Sequence, residues 1–288
     1  MYANMAMVGR DPKRQGMWEG GYEDKWVEAF AKWKVDYLKY DFSTRDGNYF
    51  MLKAIRKAGL PLFYNSCAWG HEADWNWAYL MGAHSMRSTY DVNNIWEHGN
   101  DINPVGIIDA IDQSEAMGQF TGSGFWNDAD MLVVGLRAGT MGVKPGNYPL
   151  ANRIEHRTQM SMYSMLAASL LIGCDIREID DYSLETLLNR EVIAIDQDPL
   201  GVAAWRVVKL DDIEIWKRPL DNGDWAVALL NRGPAPAQIR AVFHDMHLAG
   251  AFKVRDLWSH KDLGVFGREL SLKVASHEAK MLRFSNAK

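Results

Sequence analysis

Cysteine is scarce in this chain, which has only two among its 288 residues. Cys67 and Cys174 lie far apart, and each ends an apolar, strand-like run, so we expect buried free thiols rather than a disulfide. The eight histidines are scattered as well, and the cysteines and histidines form no cluster with the spacing of metal ligands. We therefore predict no metal site.

The chain also lacks the features of nucleic-acid-binding and membrane proteins. Its formal net charge is −5 and it has no basic run, so we expect no nucleic-acid partner. No segment approaches the roughly 20 uninterrupted apolar residues that a membrane helix requires, so we expect no membrane partner. A phosphate-binding glycine loop is missing too, and we predict no cofactor. The first residues show no signal-peptide pattern, which leaves the cellular compartment unknown.

Tryptophan and tyrosine, by contrast, are abundant, with 12 and 11 copies. Aromatic rings stack on the apolar faces of sugars, so this composition is compatible with a carbohydrate ligand. Filling a hydrophobic core explains the same residues, and composition alone favours that explanation. A decision between the two needs motifs.

Short apolar strands alternate with amphipathic helices from about residue 20 to residue 200. In residues 23–33, for example, apolar side chains recur at helical spacing. Such alternation predicts right-handed crossovers and a parallel sheet, whose functional residues collect at the carboxyl ends of the strands. Each aspartate at such an end is either a helix cap or a catalytic group. The aspartates that follow predicted strands are Asp41, Asp91, Asp128, Asp130 and Asp175.

The pattern changes after Gly201. Short strand-like runs are separated by turn signals at residues 221–223 (DNG) and 232–234 (RGP), and no long helical pattern returns. We therefore predict two domains, a (β/α) barrel portion over residues 1–201 and a small antiparallel β-sandwich over residues 202–288.

Several predicted strand ends resemble motifs of glycoside hydrolase family 27, which contains α-galactosidases and α-N-acetylgalactosaminidases. The similar segments keep the family's order and spacing: 35–41 (VDYLKYD), 87–91 (RSTYD), 126–131 (WNDADM), 167–175 (AASLLIGCD) and 188–201 (LNREVIAIDQDPLG). The resemblance implies an α/β fold, a (β/α)8 TIM-type barrel followed by a β-sandwich. It also implies a retaining exo-α-galactosidase that removes terminal α-linked galactose from oligosaccharides or glycoconjugates.

The same resemblance implies that Asp41 is the nucleophile and Asp91 the acid/base. Retaining cleavage needs one ionised carboxyl that attacks and one protonated carboxyl that donates, about 5–5.5 Å apart. Lys39 precedes Asp41 by two residues, so on a strand their side chains share one side, and its ammonium favours an ionised carboxylate. Trp69 is equally compatible with the core. The other implied substrate-binding residues are Arg87, Ala68, Trp69, His71, Asp130, Met131 and Tyr2.

The chain departs from the family pattern at three places. The family barrel begins with three strands before the nucleophile strand, so we expect an amino-terminally incomplete barrel, and a homo-oligomer that completes it is a further hypothesis. Ser43 replaces a cysteine of the family. Ala68 replaces a large polar residue that is common in α-galactosidases, which leaves an α-N-acetylgalactosaminidase as one alternative. A non-catalytic sugar-binding protein or a truncated remnant is another.

Overall fold

The structure, a computed structural model, describes residues 21–41, 43–99, 104–137 and 148–287, together with the backbone of residues 2–4. The chain divides into two compact units. The first unit comprises Met1–Thr89 and Gly124–Asp128, and the second comprises Tyr90–Ser123 and Ala129–Lys288. The domain boundary predicted at residue 201 falls inside the second unit, and it stays a prediction.

The first unit contains a five-stranded sheet in which every neighbouring pair is parallel and the strands follow chain order. The strands are β1 (Tyr2–Asn4), β2 (Tyr37–Asp41), β3 (Phe63–Cys67), β4 (Ser85–Arg87) and β5 (Trp126–Asp128). Chain order across a parallel sheet means that each connection crosses to the next strand, as in one arc of a barrel. The carboxyl ends of these strands therefore lie along one edge.

Two helices of the first unit lie in these connections, α1 (Glu23–Trp33) between β1 and β2 and α2 (Arg45–Ala58) between β2 and β3. Helix α2 begins at Thr44, whose hydroxyl accepts a hydrogen bond from the Gly47 N–H at 3.1 Å. It ends at Gly59, whose left-handed φ of 62° suits a residue without a side chain. The helix that starts directly after β2 is thus held at both ends.

The second unit contains four further helices, α3 (Ile107–Glu115), α4 (Arg153–Met165), α5 (Asp181–Leu187) and α6 (Arg190–Asp196). Its described part also holds a parallel bridge between Leu132 and Ile172. These elements share one hydrophobic core with the face of the six-stranded sheet that points away from the interior of the β-sandwich. The parallel α/β pattern predicted from the sequence therefore continues in this unit.

The β-sandwich has a six-stranded antiparallel sheet in the order β11-β10-β13-β8-β7-β6 and a two-stranded sheet in the order β12-β9. Phe252 and Phe284 of the six-stranded sheet pack against each other and against Phe243, which directly follows β9 of the two-stranded sheet. The strands are β6 (Trp205–Leu210), β7 (Ile213–Pro219), β8 (Trp225–Asn231), β9 (Ala237–Val242), β10 (Phe252–Asp256), β11 (Lys261–Phe266), β12 (Glu269–Val274) and β13 (Ala279–Asn286). The predicted fold class, a parallel α/β domain followed by a β-sandwich, is confirmed.

Both thiols are free, as predicted, but only Cys67 is buried, and Cys174 is partly exposed. Among the described residues, no helix is long and apolar enough to cross a membrane. Within the same ranges, no group of three or more His, Cys, Asp or Glu side chains is placed to hold a metal ion.

Candidate active site

One row of polar side chains crosses the sheet of the first unit at the carboxyl ends of its strands. The strand register pairs Asp41 with Cys67 and Arg87 with Asp128, and β3 and β4 are aligned so that Cys67 lies next to Arg87. Paired residues of parallel strands project to the same face, so these four side chains form one row. All four residues are at most 3% exposed. The predicted nucleophile and the predicted substrate-binding Arg87 therefore share one face of the sheet.

Asp128 also contacts side chains that lie two positions before the row on β2 and β3, Lys39 and Asn65. Its fully buried carboxylate accepts a hydrogen bond from the Asn65 amide at 2.8 Å, and the Lys39 ammonium lies 4.0 Å from the same oxygen. Lys39 and Asn65 are register partners on β2 and β3. The prediction from strand alternation that Lys39 lies on the side of Asp41 agrees with this placement. The negative charge of Asp128 therefore attracts the Lys39 ammonium toward the row.

The row contains the Arg87 guanidinium and the carboxylates of Asp41 and Asp128, and these buried groups have little access to water. Burial raises the pKa of the Cys67 thiol well above its usual value, and the nearby charges of Lys39 and Arg87 oppose that shift only in part. Burial, together with the charge of Asp128, also raises the pKa of the Tyr37 phenol. Both groups therefore keep their protons at neutral pH.

Arg87 also contacts the loop that follows its strand. Its Nε donates to the Thr89 hydroxyl at a long 3.4 Å. Beside it, the Ser88 hydroxyl donates to the side-chain oxygen of Asn127. The chain directly after β4 is therefore tied to β5 on the same edge of the sheet.

The loop after β3 carries three of the predicted substrate-binding residues. Ala68 is buried, Trp69 is partly exposed and His71 is exposed, with the two ring centroids 6.4 Å apart. Trp69, Glu72 and Ala73 have left-handed φ angles of 52°, 57° and 52°. Such angles cost non-glycine residues roughly 1–2 kcal/mol each, so the surroundings must hold this loop in place.

Hydrogen bonds around Glu72 supply part of that support. Its carboxylate accepts from the Arg45 N–H at 2.6 Å, and its carbonyl accepts from the Trp77 indole at 2.9 Å. Asp74 lies at the base of the loop and is completely buried, and this burial raises the pKa of its carboxyl to about 7. The loop that presents Trp69 and His71 therefore has a buried carboxyl at its base.

In the second unit, Asp130 organises the backbone beside Asp91. Its buried carboxylate accepts from the Val92 N–H at 2.8 Å, and its φ of 72° is left-handed. The Asp91 carbonyl accepts from the Val105 N–H at 2.9 Å, while its side chain remains partly exposed. Two hydrogen bonds therefore hold the backbone around the predicted acid/base residue.

Met131 follows Asp130 and is partly exposed. Its carbonyl accepts from the Gln159 amide at 3.2 Å, and Gln159 in turn accepts from the Val133 N–H at 2.9 Å. A side chain at Gly173 would collide with the Met131 sulfur, so glycine permits their close approach. Tyr2 lies in β1, but its side chain is outside the part of the chain that the structure describes.

Sequence reasoning identified neither Cys67 as a member of this row nor Asn65 as the hydrogen-bond partner of Asp128. Alternation along β3 places Asn65 and Cys67 on one face, which the sequence does indicate. The register between β2, β3 and β5 decides which side chains become neighbours, and a strand pattern does not contain that register.

Comparisons with known proteins agree with the motifs. The family model described as Alpha galactosidase A matches residues 15–198, and the Alpha galactosidase C-terminal beta sandwich domain matches residues 210–284. Alpha-galactosidase 2 of Arabidopsis thaliana is 34% identical over 93% of this chain and 64% of its own length. The alpha-galactosidase of Cyamopsis tetragonoloba is 36% identical over 91% of this chain and 60% of its own.

Among solved structures, alpha-galactosidase I from Mortierella vinacea has a TM-score of 0.86 and 29% identity, over 99% of this chain and 76% of that chain. The likeness thus extends over both the parallel α/β part and the β-sandwich. This chain spans less than two thirds of the length of the Arabidopsis and Cyamopsis relatives.

Proposed function

We propose a function for this chain from its family and its site, since the chain belongs to the α-galactosidase family, glycoside hydrolase family 27. The function is retaining hydrolysis of terminal α-linked galactose, by way of a galactosyl–enzyme intermediate. The observation that carries the proposal is the buried row in which the Asp41 carboxylate ends its strand beside Cys67, with Lys39 and Arg87 nearby.

Asp41 is the proposed nucleophile. Its carboxylate oxygen attacks the anomeric carbon while the bond to the leaving oxygen breaks, which forms a covalent sugar ester. The cations of Lys39 and Arg87 lie close to its neighbour Cys67. Lys39, held by Asp128, also offers ammonium protons to sugar hydroxyls.

Asp91 is the proposed acid/base. It gives its proton to the leaving oxygen in the first step and takes one from the attacking water in the second, so it returns to its starting state. Its partly exposed side chain suits a group that must exchange a proton with water. Asp130 holds the adjacent backbone through Val92.

Galactose is the proposed sugar because the relatives in both sequence comparisons are named alpha-galactosidases. Ala68, Trp69, His71 and Met131 are the proposed contributors to its pocket, with Tyr2 at the end of β1. The incomplete barrel and the homo-oligomer stay predictions.

Turnover of a chromogenic α-galactoside by the purified chain tests the proposal. Asp41→Asn keeps the size of the side chain but removes its charge, so we expect a loss of at least about 10³-fold in kcat. Asp46→Asn, an exposed carboxyl in the first turn of α2, is the matched control and should retain activity. Equal activity of wild type and Asp41→Asn would refute the assignment.

A further inference from the structure

Cys67 is a completely buried free thiol directly beside the proposed nucleophile. We infer that Cys67 is a positioning residue, which donates its thiol hydrogen to the Asp41 carboxylate and thereby fixes the orientation of that carboxylate for attack. The inference rests on the proposed role of Asp41 and adds a second residue to it.

The geometry of the sheet brings the two side chains together. Asp41 and Cys67 are register partners at the carboxyl ends of β2 and β3, and neighbouring strands are about 4.8 Å apart. Burial raises the pKa of the Cys67 thiol most, and the Asp41 carboxylate raises it further, because the two side chains lie beside each other on the same face. The Cys67 carbonyl also accepts from the Ser43 N–H at 3.4 Å, so Cys67 contacts the chain on the far side of Asp41 as well.

The direction of this hydrogen bond follows from the protonation state of the thiol. An ionised carboxylate only accepts hydrogen bonds, so the proton must come from sulfur. Burial keeps the pKa of Cys67 well above its usual value, despite the opposing charges of Lys39 and Arg87. The thiol therefore keeps its hydrogen throughout the pH range in which a glycosidase works.

A donor in this place restricts rotation of the carboxyl group, so that one oxygen stays with sulfur and the other faces the substrate. Because S–H is a weak donor, the contact orients the nucleophile with little loss of its reactivity.

Cys67→Ser and Cys67→Ala form a matched pair, since the two replacements are similar in size and only serine keeps a donor. We expect kcat of Cys67→Ala to fall about 2–10-fold, which corresponds to one hydrogen bond, with KM nearly unchanged. Cys67→Ser should restore kcat, and Cys174→Ala, at the other thiol, should match wild type.

An unchanged kcat of Cys67→Ala would overturn the inference and leave the role of Asp41 intact. Loss of rescue by serine would do the same, since it would indicate packing rather than hydrogen bonding. Activity that does not depend on Asp41 would instead refute the proposed function.

A cycle of melting temperatures tests the contact without turnover. It compares wild type, Cys67→Ala, Asp41→Asn and the double variant of the full chain. Coupled residues give shifts that do not add, whereas independent residues give additive ones. Additive shifts would overturn the inference whether or not the chain hydrolyses galactosides.

Discussion

Single residues of the site have surroundings that suit different tasks. Asp41 is buried in a row with cations and a thiol, whereas the Asp91 side chain is partly exposed beside a backbone held by Asp130. A nucleophile benefits from fixed, charged neighbours, and an acid/base needs access to water. Each environment thus fits the role that the sequence motif suggested.

Asp91→Asn should show a defect that depends on the leaving group. Without a proton donor, poor leaving groups such as a sugar oxygen depart slowly, whereas an activated nitrophenolate needs little protonation. We expect kcat/KM, which reports the first step, to fall by about 10³-fold for an α-linked galactose disaccharide. For the nitrophenyl galactoside we expect it to fall by only about 10–100-fold. Kinetics on both substrates measure this ratio.

Asp41→Asn is the matched comparison, because a missing nucleophile affects both substrates alike. If Asp91→Asn reduces both activities by the same factor, its assignment as acid/base is wrong.

The motifs indicate Asp41, Asp91 and Lys39 as site residues, because each belongs to a short segment with a recognisable end, and their roles stay predictions. The sequence did not identify Cys67 as a site residue, because the carboxylate beside it, that of Asp41, lies on another strand. A burial pattern predicts that a thiol is inside but not which carboxylate it contacts.

Elements of the fold show where local patterns were sufficient and where they were not. Helix α1 spans the predicted residues 23–33, but the last of its recurring apolar side chains, Trp33, is 60% exposed. The sequence pattern over residues 184–195 predicts one helix, whereas the structure has two, α5 and α6. The Asn189 side chain accepts from the N–H groups of Glu191 and Val192, so it caps a new helix there.

Gly106, at the start of α3, has no space for a side chain. An added Cβ would lie 2.6 Å from the Trp96 carbonyl oxygen and 2.7 Å from the Glu97 backbone. Gly106→Ala should therefore destabilise the protein by about 1–3 kcal/mol, measured as a lower urea midpoint. Gly122→Ala, whose Cβ would enter open space, is the matched control and should change stability by less than about 0.5 kcal/mol. Equal midpoints for the two variants would contradict this packing.

Asp74, at the base of the loop after β3, should make stability depend on pH. Burial raises the pKa of its carboxyl from 3.8 to about 7 in the folded chain. Between these values the folded state holds a proton that the unfolded state releases, so stability falls as pH rises from about 4 to 7 and then levels off. The limiting slope is about 1.4 kcal/mol per pH unit.

Asp74→Asn removes this titration and keeps the shape of the side chain. We expect the variant to gain stability over wild type as pH rises from 4 to 8, in urea unfolding at several pH values. Asp46→Asn, at an exposed carboxyl, should follow wild type. A constant difference between Asp74→Asn and wild type across this range would contradict the buried-acid interpretation.

At the scale of the whole molecule, the sequence predicted the two kinds of fold but not the division into compact units. The change from alternating strands and helices to short strands predicted the parallel α/β part and the β-sandwich, because periodicity is a local property. The division into units was not predicted, since it depends on contacts between distant segments. The segment Gly124–Asp128, which contains β5, shows this, because it joins the first unit although the chain before and after it, Tyr90–Ser123 and Ala129–Lys288, belongs to the second.

The central claim is that Asp41 forms the covalent bond to galactose. A fluorinated α-galactosyl inactivator that traps this intermediate, followed by trypsin digestion and mass spectrometry, tests it directly. The account predicts the label on peptide 40–45 (YDFSTR), in which Asp41 is the one side-chain carboxyl, and no label on Asp41→Asn. A label on peptide 88–137, which contains Asp91, would contradict it.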